Sequence, residues 1–530
     1  MPLNNSTYTI IAALLSVASV NEATGIGVTD TIIERTPTSA IEKSWAAESL
    51  DNNFRRNASA KSPAAKTEYL PFSVTSLYLE GSLSDTEQTL LAEFGKGKLV
   101  GSVNASSYRH IGNYTTVWGH AQFHAGRIKD VIWNNSADYE LVGPYVIGDP
   151  VGGDLTRRSY DFGGGYAGES NHWSWGVEAS YRALIDYRGR DPRDKIIVSD
   201  LNVAVGGSFR PTRSSLAVGL AGDVRVYNQT AAIEFYNPMN DIPTYAMTGL
   251  GSYYPRFSGN SGRNTAYSGV GFNISASLFP QIETTTPISG LIEFSNIKLR
   301  QYMRDFNNLE LTNTSTTSFG AEYAMIFGRE RETNLSYGFK LRGDYRQKVG
   351  TENLLGTSTG NNYPIIGERE NYRKTISGIL LILPIEWRIN HLNRLNLSVG
   401  GEYHSVTEKL NVPFRKISTN NFTPSVNIDW MRRFSKGAIL TINGNISHRF
   451  TSPKTISLNG LELSDGIGQA VERNVALITS DITTYGIMTK VEFPIVDSAS
   501  LYIKGSWQRR DFSQRCGSAD YASLSFGINI

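Results

Sequence analysis

The stretch Ala519–Ile530 alternates strictly. Ala522, Leu524, Phe526, Ile528 and Ile530 fall on one parity, and Tyr521, Ser523, Ser525, Gly527 and Asn529 fall on the other. Side chains of a strand point to opposite faces in turn, so this pattern predicts a strand with one apolar face and one small-polar face. The preceding stretch repeats it, with Leu501, Ile503, Gly505 and Trp507 against Tyr502, Lys504, Ser506, Gln508 and Arg510. Between Trp173 and Ile185 the odd positions are apolar with aromatics towards the ends, whereas the even positions include Ser174, Gly176, Glu178, Ser180 and Arg182. Many such strands, each about ten residues long, are the pattern of a transmembrane β-barrel, whose apolar face meets lipid and whose polar face meets the lumen.

About eighteen alternating segments run from Ser73–Ser82 to Ala519–Ile530, with roughly 14 to 20 as the range consistent with uncertain boundaries. Gly290–Arg304 alternates badly, which predicts a bulge or displaced ends. Every second connection is short, as in Ile111–Tyr114, Gly168–Asn171, Ile389–Asn393 and Pro494–Asp497; Phe279–Ser289 is the exception. The intervening ones are longer, as in Val131–Thr156, Asn228–Thr265 and Thr451–Ile482. Short turns alternating with long loops are what an up-and-down barrel with periplasmic termini requires, and a soluble propeller or sandwich has no reason to alternate so. The expected fold is therefore all-β, an antiparallel up-and-down barrel over residues 72–530.

The N-terminal part does not alternate. Tyr8–Val20 reads as the apolar core of a signal peptide, placed within residues 1–20, although no Lys or Arg precedes it. In residues 21–71, Ser39-Ala40-Ile41-Glu42 has capping-box spacing, and Ile41 and Trp45 share a helical face, so a short helix is expected near Ala40–Leu50. A polar linker should follow it. Inside a barrel architecture this segment is a periplasmic tail or a lumenal plug, and the tail is the simpler expectation.

Composition agrees with a barrel and excludes a helical bundle. The chain has 530 residues, a formal net charge of +2 and 50 glycines. Its mean hydropathy is −0.27. A spanning helix needs about 20 consecutive apolar residues, and the longest runs, Ile10–Val20 and Ile379–Ile385, are shorter. A barrel hides its hydrophobicity at every second residue and stays polar on average. The balanced charge gives no footprint for nucleic acid. One cysteine, Cys516, excludes an intramolecular disulfide framework.

At Gly143–Gly168 and Tyr187–Phe209 the sequence resembles an uncharacterised family of Gram-negative outer-membrane β-barrels, a domain of unknown function. The resemblance extends by overall pattern over most of the chain after about Pro71. It implies an outer-membrane location and the barrel fold, and it carries no activity and no functional residues. Barrels of this kind often accompany TonB-dependent uptake systems, so such a system is an expected partner, alongside outer-membrane lipid and the barrel-assembly machinery. The chain differs from fatty-acid transporter barrels in lacking an Asn-Pro-Ala motif in its N-terminal segment.

Candidate chemistry lies on the polar parity. Glu178, Arg182, Asp223, Arg225, Glu322, Lys340, Arg342, Asp344, Glu402, Lys504 and Arg510 are expected to line the lumen. Charges sit inside a barrel only where they meet water or each other. They either tune a hydrated pore or brace and close the wall, and mixed signs fit both. His120 and His124 share a strand face about 13 Å apart, too far to hold one metal. His404 and His448 lie on other strands. Asp149 and Asp154 flank a glycine-rich loop that lacks the ligand ladder of a calcium loop and reads as a tight turn. Gly163, Gly164, Gly165 and Gly168 lead to no helix, so they mark a bend or a close backbone approach rather than a nucleotide loop. Gly95–Lys98 lacks the spacing of a phosphate loop. The loop residues Tyr253, Tyr254, Phe257, Asn260, Asn264, Asn361, Asn362 and Tyr363 form either an external ligand site or a loop folded over the barrel mouth. No motif points to catalysis or a cofactor. The expected function is passage of small solutes through a channel, with a non-transporting accessory or scaffold barrel in an uptake or secretion complex as the alternative.

Overall fold

The computed structural model describes residues 37–530 apart from 90, 113, 212–215, 238, 240–241, 260–262, 281–287, 329–333, 361, 463 and 515. The signal-peptide stretch, the middle of the long turn 279–289 and the loop residues Asn260 and Asn361 lie outside the described residues. Eighteen strands form one antiparallel sheet. In chain order they are β1 Val74–Thr86, β2 Gly97–Ile111, β3 Thr115–Val131, β4 Gly153–Ser170, β5 Trp173–Arg188, β6 Arg193–Phe209, β7 Leu216–Glu234, β8 Thr265–Pro280 and β9 Ile288–Met303. The series continues with β10 Leu309–Phe327, β11 Leu335–Leu355, β12 Ile365–Asn390, β13 Asn393–Leu410, β14 Arg415–Arg433, β15 Ile439–Leu458, β16 Ile482–Val496, β17 Ala499–Phe512 and β18 Ser518–Asn529. β18 pairs back onto β1, from Ser76↔Asn529 to Thr86↔Ala519, so the sheet closes and keeps no open edge. Closure is the only way a sheet satisfies its backbone in hydrocarbon.

The two parities separate cleanly. Outward residues stay exposed although apolar: Leu220 is 64% accessible, Val270 60% and Ile274 57%. Trp173, Trp175, Tyr337, Trp387 and Phe493 extend this wall near the turn end. A closed barrel with a continuous apolar outer wall places the protein in the outer membrane. β9 alternates badly for two reasons. Its inward Ile297 and Leu299 pack into a loop core, while its outward positions end in Asn296, Lys298 and Arg300. Its register against β10 also slips between Gln301 and Tyr302, the expected bulge.

Within the described part of the N-terminal segment, a second helix and a 3-10 turn follow the expected helix where a linker was expected. Helix α1, Ala40–Ala47, is capped by Ser39, whose hydroxyl accepts from the Glu42 amide. Helix α2, Leu50–Ser59, takes the place of the expected linker; Ser49 caps it by accepting from the Asn52 amide. A 3-10 turn, Pro63–Glu68, follows with Pro at its first position. Propensity understated α2 because its polar Asn and Arg residues bond to neighbouring backbone, as in Asn52 to the Ala46 carbonyl and Arg56 to the Ala47 carbonyl. The segment packs on the wall near the turn end: α1 on β16 and β17, α2 on β8, β9 and β12, and the 3-10 turn on β3 to β7. At the other end the loops fold inwards. They include a three-stranded sheet of Ile147–Gly148, Thr244–Gly249 and Ser252–Gly259, and helix α3, Gly466–Thr479.

The wall assignment predicts an asymmetry in tolerance. Ile274→Arg, at mid-height on the lipid face, should cost about 2–4 kcal/mol of folding stability, whereas Thr423→Arg on the inward parity should cost under about 1 kcal/mol. Urea titration of refolding into lipid vesicles reads both. Equal costs would mean the faces are misassigned.

Candidate functional site

The inward parity carries the charges, and most of them are paired. Arg182 on β5 donates through both terminal nitrogens to Asp138, at 3.1 and 2.7 Å, and to Asp200 at 3.1 Å. Arg225 on β7 grips Asp200 with two bonds of 2.8 Å. Such forked pairs are the strongest geometry available to a guanidinium. Asp138 belongs to the loop after β3, and Tyr227 also donates to it at 2.8 Å. On the next strands Arg342 meets Glu293 at 2.7 Å and Glu322 at 3.4 Å, and Lys340 meets Glu322 at 2.9 Å. Asp223 accepts from Asn273 at 2.9 Å, Glu178 accepts from the Trp118 ring nitrogen at 3.1 Å, and Glu402 lies 3.4 Å from His404. Asp344, Lys504 and Arg510 share the inward parity and make no ion pair among the described residues. The sequence-predicted residues therefore fall into two bracing networks and several separate positions, not one cluster.

The histidines and glycines have local explanations. His120 bonds Asp161 at 2.7 Å across the β3–β4 pair, while His124 reaches Gln122 at 3.4 Å. His448 lies on the outward parity and bonds Thr483 at 2.9 Å. A Cβ at Gly163 would stand 2.3 Å from the His120 ring, and one at Gly165 would stand 2.3 Å from Trp118, so both glycines let a ring lie flat on the wall. Asp149 accepts from the amides of Val151 and Gly152 at 3.0 and 2.6 Å, which is the tight turn expected there. Its other oxygen takes Arg188 at 2.9 Å, and Arg188 also meets Asp194 at 2.9 Å.

Sequence reading offered a lumenal plug and loops folded over the mouth, but it named none of the residues that hold them. At the turn end, Arg394 donates to the Trp45 carbonyl at 2.8 Å and stacks over the Trp45 ring; Glu386 accepts from the Leu50 amide at 2.7 Å. Arg210 holds Glu68 at 2.8 Å, Lys61 holds Glu293 at 3.3 Å, and Ser174 donates to the Ala64 carbonyl at 3.1 Å. Gly176 is the close approach: a Cβ there would lie 2.5 Å from the Pro63 carbonyl carbon. At the loop end, wall cations hold loop carbonyls. Lys348 donates to Glu140, Leu141 and Gly143, Arg415 to Leu250, Asn459 and Gly460, and Arg449 to Leu477 and Ser480. Val142 and Val146 of the loop after β3 are buried among Leu184, Ile196, Val198 and Tyr227. Phe257 is buried against Phe306 and Tyr363, with Tyr254 beside it, so these aromatics form the core of the folded loops; Tyr253 packs on Tyr245. Asn264 bonds Asp305, and Asn362 accepts from Asn307.

Glu93, between β1 and β2, latches this lid. Its carboxylate accepts from Asn474 of α3 at 3.1 Å, and its carbonyl accepts from Asn134 at 2.9 Å. Burial pushes its carboxyl above the usual range, with the Asn474 bond only partly opposing that. A carboxyl raised in the docked state contributes fully below the free-glutamate value, about 4.3, and loses that contribution as pH rises through its raised value. Hydrogen-exchange protection of residues 132–152, corrected for intrinsic rates, should therefore fall as pH increases. Glu93→Gln should flatten the dependence. Protection that is constant or rises with pH in the unaltered chain would remove the latch.

Three solved outer-membrane structures align over most of the chain at low scores. They are the RagAB peptide transporter (7% identity, 87% of each chain, TM-score 0.41), the ferric preacinetobactin receptor BauA from Acinetobacter baumannii (9%, 86% of this chain and 79% of that one, TM-score 0.38) and the CymD monoaromatic hydrocarbon channel (8%, 89% and 92%, TM-score 0.31). No curated protein matches the chain. One family model does, over residues 63–530, so the chain belongs to the Family of unknown function (DUF6850).

Proposed function

We propose that the protein is an outer-membrane channel for small solutes, closed at rest by its own N-terminal segment. The observation that carries this reading is the seating of residues 38–72 inside an eighteen-strand wall on separable polar contacts. Barrels of about 16–18 strands enclose an aqueous channel unless something fills them. Here the filler is not wall. It is a segment of two helices and a turn, tied by Arg394, Glu386, Arg210 and Ser174 and by small apolar contacts such as Ile41 against Met431 and Ile439. Each contact is modest, so the segment can leave without unfolding the sheet. The charged residues Glu178, Arg182, Asp223, Arg225, Glu322, Lys340, Arg342, Asp344, Glu402, Lys504 and Arg510 then line the lumen, and the paired ones set its shape more than its selectivity, because a pair presents little net field.

A second reading follows from the coverage of both ends. A barrel with a seated N-terminal segment and folded loops also suits an accessory or scaffold in an uptake or secretion complex, including one served by a TonB-dependent system.

Planar-bilayer conductance separates the two. Gly176→Leu forces its side chain into the Pro63 backbone and should displace the 3-10 turn. The unaltered chain should show rare openings, and Gly176→Leu should raise the open fraction at least tenfold. Silence in both would eliminate the channel reading in favour of the scaffold.

A further inference from the structure

The inward wall is chemically lopsided. From β4 to β11 it is braced by ion pairs, and its loop-side half is sealed: Ile196, Val198, Tyr227 and Gln229 are all under 2% accessible. From β14 through β18 neutral amides and hydroxyls that stay partly open separate a few charges, Asp429, the Lys490–Glu492 pair, Lys504 and Arg510. Asn421, Thr423 and Asn427 share the inward face of β14, Asn427 stands opposite Asn445 of β15 and accepts from Asn443 at 3.0 Å, and Gln508 of β17 continues the surface. Beneath this surface the side-chain oxygen of Asn421 and one oxygen of Asp429 are buried with no hydrogen bond.

At the foot of this wall a cavity of about 360 Å³ lies between α1 and strands β14 to β18, bordered by Tyr502 and by charges of nearly balanced sign, four cations including Lys43 and Lys504 against Glu48, Asp429 and Glu492. That volume is within the range of small-molecule sites. Tyrosines accompany the amides on the inward parity. Tyr78 and Tyr502 flank Gly527 across the sheet, and Tyr521, 38% accessible, stands higher on β18. A Cβ at Gly527 would lie 2.4 Å from the Tyr502 ring, so the missing side chain lets that ring lie against the wall.

We infer that this face is a binding track for neutral polyhydroxylated solutes, the chemistry of short oligosaccharides; the inference rests on the channel reading. Hydroxyl groups both donate and accept, as amides and hydroxyl side chains do, so each can be matched along such a wall. The apolar faces of pyranose rings fit flat aromatic surfaces. A charged solute would need fixed countercharge. Here Lys490 is neutralised by Glu492 at 2.7 Å, and Lys504 shares its cross-strand neighbour Ser525 with Glu80. Arg510 and Lys504 are separated by about 20 Å of strand, too far apart to act on one small anion.

Isothermal titration calorimetry on the full-length protein in detergent micelles tests the track without requiring flux. The probes are linear glucose, mannose and xylose oligomers of three to six residues, with trilysine, triglutamate and inorganic phosphate as charged controls. At least one neutral oligomer should bind at least tenfold more tightly than every charged probe. Asn427→Leu with Asn443→Leu should weaken that binding at least tenfold, and Asn443→Ser, which keeps a hydrogen-bonding group, should lose less. Thr489→Val on the lipid face should change nothing. Tighter binding of a charged probe, absence of all binding, or indifference to the Asn changes would overturn the track. Neutral binding combined with silence of Gly176→Leu in bilayers would keep the track and remove the channel.

Discussion

In hydrocarbon an unpaired backbone N–H or C=O costs several kcal/mol, and this requirement governs the whole chain. It forces the sheet to close, which the β1–β18 ladder does. Closure fixes two faces with opposite solvents. The outer face must be apolar at every second residue; the inner face can be anything that satisfies itself or meets water. The chain uses this freedom for forked Arg–Asp pairs, for cations that hold loop carbonyls, and for an amide-rich strip.

The N-terminal segment and the loops solve a second problem, that of a wide lumen. Eighteen strands leave more space than wall side chains can fill. Residues 38–72 enter at the turn end, and their seating depends on gaps in the wall as much as on contacts. Gly176 and Gly206 lack side chains where Pro63 and Ser62 arrive. At the other end Lys348, Arg415 and Arg449 each bind carbonyls of a loop or of a helix end. A cation near the last carbonyls of a helix is favourably placed, as Arg449 is beside α3. Both closures are thus polar and local, unlike the sheet, which is continuous.

The fold was legible because its signal is local. Period-two alternation at Trp173–Ile185 or Leu216–Val226 follows from neighbours in sequence, and each of the eighteen segments overlaps one of the eighteen strands, with displaced ends. The misreadings came where tertiary contact sets the outcome. β9 looked irregular because Leu299 packs under a loop from far upstream. α2 read as a linker because its polar side chains bond its own neighbourhood. The parity of the charged residues was readable; their partners were not. Nothing local links Arg182 to Asp138, which arrives on a loop 44 residues earlier in the chain. Gly176 offered no signal either, because a glycine on a strand marks close approach without naming what approaches.

Locking the segment in place tests the gate most directly. A Cβ built at Gly206 lies 2.9 Å from the Ser62 hydroxyl oxygen, close to the spacing a disulfide needs. Ser62→Cys with Gly206→Cys, in a chain carrying Cys516→Ser, ties the segment to β6. Solute flux into vesicles should vanish when the pair is oxidised and return on reduction. Equal flux in both states would contradict a gate formed by the N-terminal segment.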